Sequence, residues 1–169
     1  HIMPDKIHSL NLSFLVNTLK KQKGGTAGNI AYNLALLDCP VSIFAVAGND
    51  FDEYSSFLNK SGVDTSNIQI IKGKPTASAF IMTDQKDNQI TGFYPGAMTD
   101  SVNYSLKDLK EKPEFVVISP NDPKAMVNFT KECRDKKIAY MMDPGMQLPA
   151  LEPENLKGMI DGATILIGN

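Results

Sequence analysis

From residue 115 to residue 167 the sequence alternates short apolar runs with amphipathic segments, and this alternation limits the possible folds more than any other feature. The runs at 115–119, 138–142 and 164–167 have the length and composition of buried strands. The segments at 123–136 and 153–160 repeat apolar residues at helical spacing. Strands and helices that alternate in this way form a parallel sheet covered by helices, so the sequence predicts an α/β fold.

The first sixty residues show the same kind of alternation. We predict strands at 11–17 and 41–47, and helices at 29–37 and 51–60. Composition also indicates a single folded unit, because 169 residues with 42% hydrophobic side chains can build one core.

Three aspartates stand where helices are predicted to begin. Asp122 precedes Pro123, a pair typical of an N-cap followed by proline at the first helical position. We expect Asp50 and Asp52 to cap the helix at 51–60. Four residues of the helix that follows Asp122 are expected to face inward: Ala125, Met126, Phe129 and Cys133.

Between residues 76 and 95 the pattern changes to two β-rich runs separated by the polar turn 85–88. Such a pattern predicts an antiparallel hairpin. A four-residue turn would place Phe80 opposite Phe93, with both aromatic side chains on one face. The hairpin and the N-terminal strand are predicted to form a small sheet apart from the main one.

Charge and composition exclude several classes of partner. The formal net charge is -2 and the chain has no dense basic face, so we expect no nucleic-acid partner. No apolar stretch approaches the roughly 18–20 residues that span a bilayer, so we expect no membrane association. Cys39 and Cys133 form no CxxC pair, which favours a reducing, cytoplasmic setting. His8 is the one histidine away from the terminus, so a histidine-based metal site is not predicted.

The motif with the most chemical potential is Gly-Gly-x-x-x-Asn at residues 24–29, which leads into the first predicted helix. Glycines allow a ligand to approach the backbone closely, and a helix N-terminus offers free N–H groups to oxygen-rich ligands. Asn29 can donate and accept hydrogen bonds, which suits a sugar hydroxyl. Spacing alone also fits an ordinary loop before a helix. The motif is not a Walker loop, because no Gly-Lys-Ser/Thr follows it.

A family resemblance begins at this motif. Gly24, Gly25 and Asn29, the helix after them, and the strand that ends near Gly48-x-Asp50 resemble the first signature of the PfkB carbohydrate kinases. That family includes ribokinase, fructokinases and one lineage of adenosine kinases. The resemblance implies a ribokinase-like three-layer fold with a central, mostly parallel sheet and a small β-sheet lid.

Three further segments, at 87–91, 95–98 and 143–145, resemble the bacterial adenosine-kinase-like branch most closely. Asp143, which follows a strand and precedes Pro-Gly, is either an active-site residue or a turn former. The resemblance implies one partial domain over 1–169, truncated at both ends. Its lid strands are expected at about 11–23 and 76–95, and its α/β core at about 24–72 and 100–169.

The resemblance also implies roles for individual residues. In the family the glycine pair and the asparagine bind the sugar hydroxyls, and these roles fall on Gly24, Gly25 and Asn29. Phe80 or Phe93 would cover the ribose or the base, and the alternative for both is hydrophobic packing within the lid. Lids of this family can pack against each other, which makes a homodimer through the lid an expectation.

The sequence also departs from the family pattern. Family members begin with a strand carrying a sugar-binding aspartate, and they end with a Gly-Ala-Gly-Asp motif that supplies an anion hole and the catalytic base. Neither occurs in these 169 residues. Of the family's Asn-x-x-Glu motif near magnesium and the phosphates, Asn169 matches the first residue alone. The expected cofactors are therefore ATP and Mg²⁺, with most of their site outside this sequence.

Three functions are consistent with the sequence. The leading one is ATP-dependent phosphorylation of a hydroxyl on a sugar or nucleoside, adenosine or a ribose-like substrate, by the full-length protein. The second is a non-catalytic homologue that binds the same small molecules. The third is a nucleotide-binding protein of the NAD type, but the strand directly before a Gly-x-Gly-x-x-Gly turn that it requires is absent.

The 169-residue chain by itself is expected to show no phosphoryl transfer. A general base typically raises the reaction rate about 10²–10⁴-fold, and electrostatic stabilisation of the transferred group usually raises it more. The groups that would supply both effects are expected outside this sequence. A radiolabelled transfer assay with ATP, magnesium and adenosine on the purified chain tests this. Turnover that survives removal of host kinases would contradict the expectation and place the catalytic groups within these residues.

Overall fold

The computed structural model describes residues 16–168. The predicted strand at 11–17 therefore lies outside the described residues, apart from its last two positions. Residues 16–25 form neither helix nor strand. The helices are α1 (Thr26–Leu36), α2 (Asp52–Lys60), α3 (Pro123–Asp135) and α4 (Pro153–Ile160). The strands are β1 (Ala45–Gly48), β2 (Ile68–Ile71), β3 (Ser78–Thr83), β4 (Gln89–Tyr94), β5 (Phe115–Ile118), β6 (Ala139–Met142) and β7 (Ile165–Leu166).

The strands form two parallel sheets and one antiparallel hairpin. β1 pairs with β2 in parallel, and β6 lies between β5 and β7, again in parallel. A helix connects the strands of each parallel pair: α2 before β2, α3 before β6 and α4 before β7. The predicted α/β fold is confirmed, and each parallel strand pair is connected through a helix as parallel pairing requires.

Two apolar clusters stabilise these layers. The N-terminal cluster joins α1, β1 and α2, and the C-terminal cluster joins α3, β6 and α4. Phe44, the residue before β1, packs edge-on against Phe129 at 5.5 Å between ring centroids, so the C-terminal cluster reaches the start of β1. The buried hydroxyl of Tyr140 donates to the carbonyl of Met159 at 2.8 Å, which satisfies a polar atom inside the C-terminal cluster.

Helix α3 forms as the sequence predicts. The Asp122 carboxylate accepts from the backbone N–H groups of Lys124 and Ala125 at 3.0 and 3.1 Å, and Pro123 occupies the first turn. These bonds satisfy donors that a helix start leaves unpaired. The four residues predicted to face inward are all buried: Ala125, Met126, Phe129 and Cys133.

The hairpin β3–β4 forms, but its predicted register is wrong by one residue. The backbone N–H of Asp84 donates to the carbonyl of Asn88, which closes a three-residue loop instead of the predicted four-residue turn. Asp87 adopts a φ of 60°, the left-handed conformation typical of three-residue hairpin loops. Phe80 consequently pairs with Gly92, and Phe93 pairs with Ala79. Because side chains alternate along a strand, Phe80 and Phe93 lie on opposite faces.

We expect Asp122→Ala to lower the free energy of unfolding by about 1 kcal/mol, since it leaves two N–H groups of α3 without their partner. Lys124→Ala is the matched control, because Lys124 is exposed in the same turn. Urea unfolding of both variants measures the difference. Equal midpoints for the two would show that the cap does not stabilise the helix.

Candidate functional site

Ligands of α/β proteins bind at the carboxyl ends of the parallel strands. β1 ends at Gly48, and α2 begins four residues later. Gly28 in the first turn of α1 lies against Tyr54 in the first turn of α2, so the N-terminus of α1 lies near the carboxyl end of β1. The sequence motif at residues 24–29 therefore belongs to the edge at which a ligand is expected.

Gly24 and Gly25 form the open entrance to α1. Gly25 is the N-cap with a φ of 91°, a conformation that favours glycine, and its carbonyl accepts from the N–H of Asn29 at 2.9 Å. Among residues 16–168, no side chain caps this helix, and a Cβ at either glycine would meet no atom within 4 Å. The described residues therefore leave the first-turn N–H groups of α1 open to an approaching ligand.

Asn29 lies in the first turn of α1 with an exposed side chain. Its backbone carbonyl accepts from the Asn33 amide at 2.8 Å. Within residues 16–168 its side-chain amide has no hydrogen-bond partner, so both donor and acceptor functions are open. The structure thus brings Gly24, Gly25 and Asn29 together at one helix start, as the motif predicts.

The first turn of α2 supports this helix start from the side. The Lys23 ammonium contacts the Glu53 carboxylate at 2.9 Å and lies 5.3 Å from the centre of the Phe57 ring. The hydrogen bond from Lys23 holds the pKa of Glu53 below its ordinary value. Gly28 packs so closely on Tyr54 that a Cβ would overlap the phenol. These contacts position residues 23–28, which we call the glycine turn, relative to α2.

The hairpin joins the core at its root, which we define as residues 74–76 and 95–97. The backbone N–H of Asn49, just after β1, donates to the carbonyl of Lys74 at 3.2 Å and so joins the root to the core. Within the root, the N–H of Ala97 donates to the carbonyl of Pro75 at 2.9 Å and ties its two segments together. A Cβ at Gly48 would overlap the backbone of this chain segment. The absence of a side chain at Gly48 therefore lets the root lie directly against the end of β1.

Asp50 does not cap α2, contrary to the sequence-based expectation, and neither does Asp52. The N-cap of α2 is Phe51, and no side chain caps the helix. Asp50 Oδ1 instead accepts from the backbone N–H of Thr76 at 2.8 Å and from its hydroxyl at 2.6 Å. The Thr76 hydroxyl in turn accepts from the N–H of Gly48 at 2.9 Å. Asp50 therefore bonds to Thr76, 26 residues away in the sequence, instead of capping α2.

The hydrogen bonds from Thr76 hold the pKa of Asp50 below its ordinary value of 3.8. A lowered pKa means that the folded protein favours the carboxylate. The stabilisation that Asp50 contributes is present above pH 3.8 and is lost as the pH falls through the lower folded pKa. At neutral pH the bonds to Thr76 are therefore fully formed.

Phe80 and Phe93, the predicted covering residues, are 68% and 55% exposed on the two faces of the hairpin. The face of Phe80 also carries Met82, Ile90 and Tyr94, and the opposite face carries Ile81 beside Phe93. Since the two faces point in opposite directions, a ligand that lies under the hairpin meets at most one of the two phenylalanines.

A second feature lies at the ends of β6 and β7. Asp143 lines a cavity of about 230 Å³ there. Asn169, the predicted cofactor-binding residue, lies outside the described residues. Between residues 16 and 168 no group of three histidine, cysteine or acidic side chains could hold a metal ion. The cavity is lined by Asp143, Pro144, Gly145, Leu148, Ile167 and Gly168.

The cysteines supply no reactive group to this edge. Burial raises the pKa of the Cys133 thiol to about 11, so it stays protonated at neutral pH, and Cys39 lies on the surface after α1. In the part of the chain that the structure describes, no helix has both the length and the apolar character needed to cross a membrane.

Comparison with known proteins identifies the family. The model of the pfkB family carbohydrate kinases matches residues 2–169. The chain belongs to this family. Among curated pfkB-family relatives, a nucleoside kinase of Methanothermobacter thermautotrophicus is 27% identical over 168 residues, which is 98% of this chain and 54% of that protein.

Solved structures of the pfkB family agree in fold. The nucleoside kinase of Burkholderia thailandensis in complex with inosine superposes with a TM-score of 0.87 at 33% identity, over 92% of this chain and 52% of that one. The same enzyme in complex with ADP-inosine gives 0.82 at 34% identity, over 98% and 52%. The predicted ribokinase-like fold is confirmed, and the chain spans about half the length of these relatives.

The sequence analysis missed two parts of this site. Strand β2 was not predicted, although its residues 68–71 are mostly apolar, because a four-residue run has no periodicity to recognise. The bonds between Asp50 and Thr76 were also missed, since spacing within one segment says nothing about a partner in another. Gly48 and Gly96 both lie against the backbone of residues 74–76. These two glycines were the one sequence signal that could have indicated this close approach.

We expect Gly48→Ala to destabilise the protein by about 1–3 kcal/mol, because the new Cβ overlaps backbone atoms that cannot move aside easily. Gly92→Ala in β4 is the control, since a Cβ there meets no atom within 4 Å. Thermal unfolding of both variants measures the difference. A Gly48→Ala variant as stable as the control would mean that the root does not need the close approach.

Proposed function

We propose that the full-length protein is an ATP-dependent kinase that phosphorylates a hydroxyl group on the ribose of a nucleoside. Membership in the pfkB family supports a kinase of a sugar-containing substrate. Similarity to nucleoside kinases, one of them in complex with inosine and with ADP-inosine, supports a nucleoside and an adenine nucleotide. Adenosine, favoured by the sequence resemblance, and inosine are the first substrates to test.

The observation that carries this proposal is the open helix start at Gly24, Gly25 and Asn29. A ribose hydroxyl both donates and accepts hydrogen bonds, and so does the Asn29 amide, which has no partner among residues 16–168. The uncapped N–H groups after Gly25 add donors beside it. We assign the binding of the sugar hydroxyls to these three residues.

The hairpin β3–β4 is proposed as a lid over the bound nucleoside. One face of the hairpin carries Phe80 and the opposite face carries Phe93. One of these two faces would cover the ribose or base. The other face would remain apolar and exposed, which suits contact with a second copy of the chain in a homodimer. Aromatic side chains cover planar ligands well because they bury large apolar areas.

ATP and Mg²⁺ are the proposed cofactors, with Asn169 close to the phosphates. The described residues do not form a metal-binding cluster, so they are not assigned to the ion. Phosphoryl transfer depends on positioning and on neutralising charge around the γ-phosphate. In this proposal the role of the described residues is positioning: they orient the nucleoside hydroxyl and exclude water from it.

We expect Asn29→Ala in the full-length protein to weaken nucleoside binding by about 1–3 kcal/mol, because hydrogen bonds to the ribose are lost. Asn128→Ala is the control, since Asn128 is exposed on α3. Calorimetric titration with adenosine and inosine measures both. Unchanged affinity in Asn29→Ala would remove Asn29 from the site, and binding without phosphate transfer by the unaltered protein would favour the non-catalytic homologue.

A further inference from the structure

The first turn of α2 and the aspartate before it contact both halves of the proposed site. Asp50 bonds to Thr76 at the hairpin root, and Glu53 and Tyr54 contact the glycine turn through Lys23 and Gly28. The three residues that make these contacts lie within one short segment, residues 50–54. The segment therefore links the helix start that would hold the sugar to the hairpin that would cover it.

On the hairpin side the link is fully hydrogen-bonded. The Thr76 hydroxyl donates to Asp50 Oδ1 at 2.6 Å and accepts from the Gly48 N–H at 2.9 Å. The Thr76 N–H donates to the same carboxylate oxygen at 2.8 Å. Bonds to a charged acceptor are shorter and stronger than neutral ones. Thr76, two residues before β3, thus bonds both to the end of β1 and to Asp50, two residues before α2.

On the glycine-turn side the link depends on an ion pair and on close packing. Lys23 reaches Glu53 at 2.9 Å, and Gly28 of α1 lies directly against the Tyr54 phenol. These two contacts join the glycine turn to α2, the helix that begins two residues after Asp50.

Within residues 16–168 the hairpin has few other anchors, because beyond the root every residue from 79 to 94 is exposed. At the root, three contacts remain when Asp50 is changed. They are the Lys74–Asp100 ion pair at 2.6 Å, the Asn49 N–H bond to the Lys74 carbonyl and the Gly48 N–H bond to the Thr76 hydroxyl. Loss of Asp50 should therefore loosen the hairpin without detaching it.

We propose that Asp50 is a positioning residue: through Thr76 it holds the root of the hairpin against β1, and through the first turn of α2 it couples the position of the hairpin to occupancy of the glycine turn. The coupling rests on the nucleoside-binding function proposed above. The anchoring of the hairpin by Asp50 is a property of the free protein and can be tested without substrate.

Hydrogen exchange of the free full-length protein is the first test. Asp50→Ala and Thr76→Val should speed the exchange of amides in β3 and β4 about tenfold, a factor that corresponds to the loss of a charge-assisted hydrogen bond. Amides of β5 and β6 should be unchanged. Thr76→Ser keeps the hydroxyl and should restore wild-type exchange. Asp52→Asn is the control, because Asp52 is exposed in the same helix turn.

The second test uses adenosine and inosine as probes. Binding should slow hairpin exchange in the unaltered protein and in Thr76→Ser, while Asp50→Ala should raise KM for the nucleoside about tenfold and change kcat less. Unchanged hairpin exchange in Asp50→Ala and Thr76→Val overturns the anchoring, and so does equally faster exchange in β5 and β6, which would indicate general destabilisation. Failure of the unaltered protein to bind any nucleoside overturns the proposed function and the coupling, while the exchange of the free protein still decides the anchoring.

Discussion

The close approach of the hairpin root to the end of β1 is the constraint on which the arrangement of the site depends. Backbone meets backbone there, because Gly48 and Gly96 carry no side chains that would separate them from Pro75 and its neighbours. Hydrogen bonds from Asn49 and Ala97 follow from that proximity. A larger residue at 48 would displace the root and, with it, the whole exposed hairpin.

The two apolar clusters supply the stability that the contact between the hairpin root and β1 requires. Each parallel sheet has its own buried layer, and Phe44, the residue before β1, packs against Phe129 of the C-terminal layer. The site therefore lies on a packed scaffold, and its exposed residues add little to that packing. This division is common in α/β proteins, where the sheet supplies rigidity and the segments after the strands supply chemistry.

Much of the scaffold could be predicted from sequence, because helical periodicity and proline signals are local. Helix α4 was predicted with its observed bounds, and the cap of α3 at Asp122 was recognised. The hairpin register was not predictable, because it depends on Asp87 entering the left-handed region and shortening the loop. The role of Asp50 could not be predicted for a related reason. Asp50 bonds to Thr76 and does not cap α2 because the tertiary structure brings Thr76 within reach.

The opposite orientation of Phe80 and Phe93 has a consequence for how the hairpin can evolve. Residues two apart on one strand share a face, whereas adjacent residues never do, so a substitution at Met82 changes the surface of Phe80 and leaves that of Phe93 intact. Under the roles proposed for the two faces, selection could therefore alter ligand preference on one side and self-association on the other independently. A one-residue shift of the pairing would instead place Phe80 and Phe93 on the same face, and it would therefore change both surfaces at once.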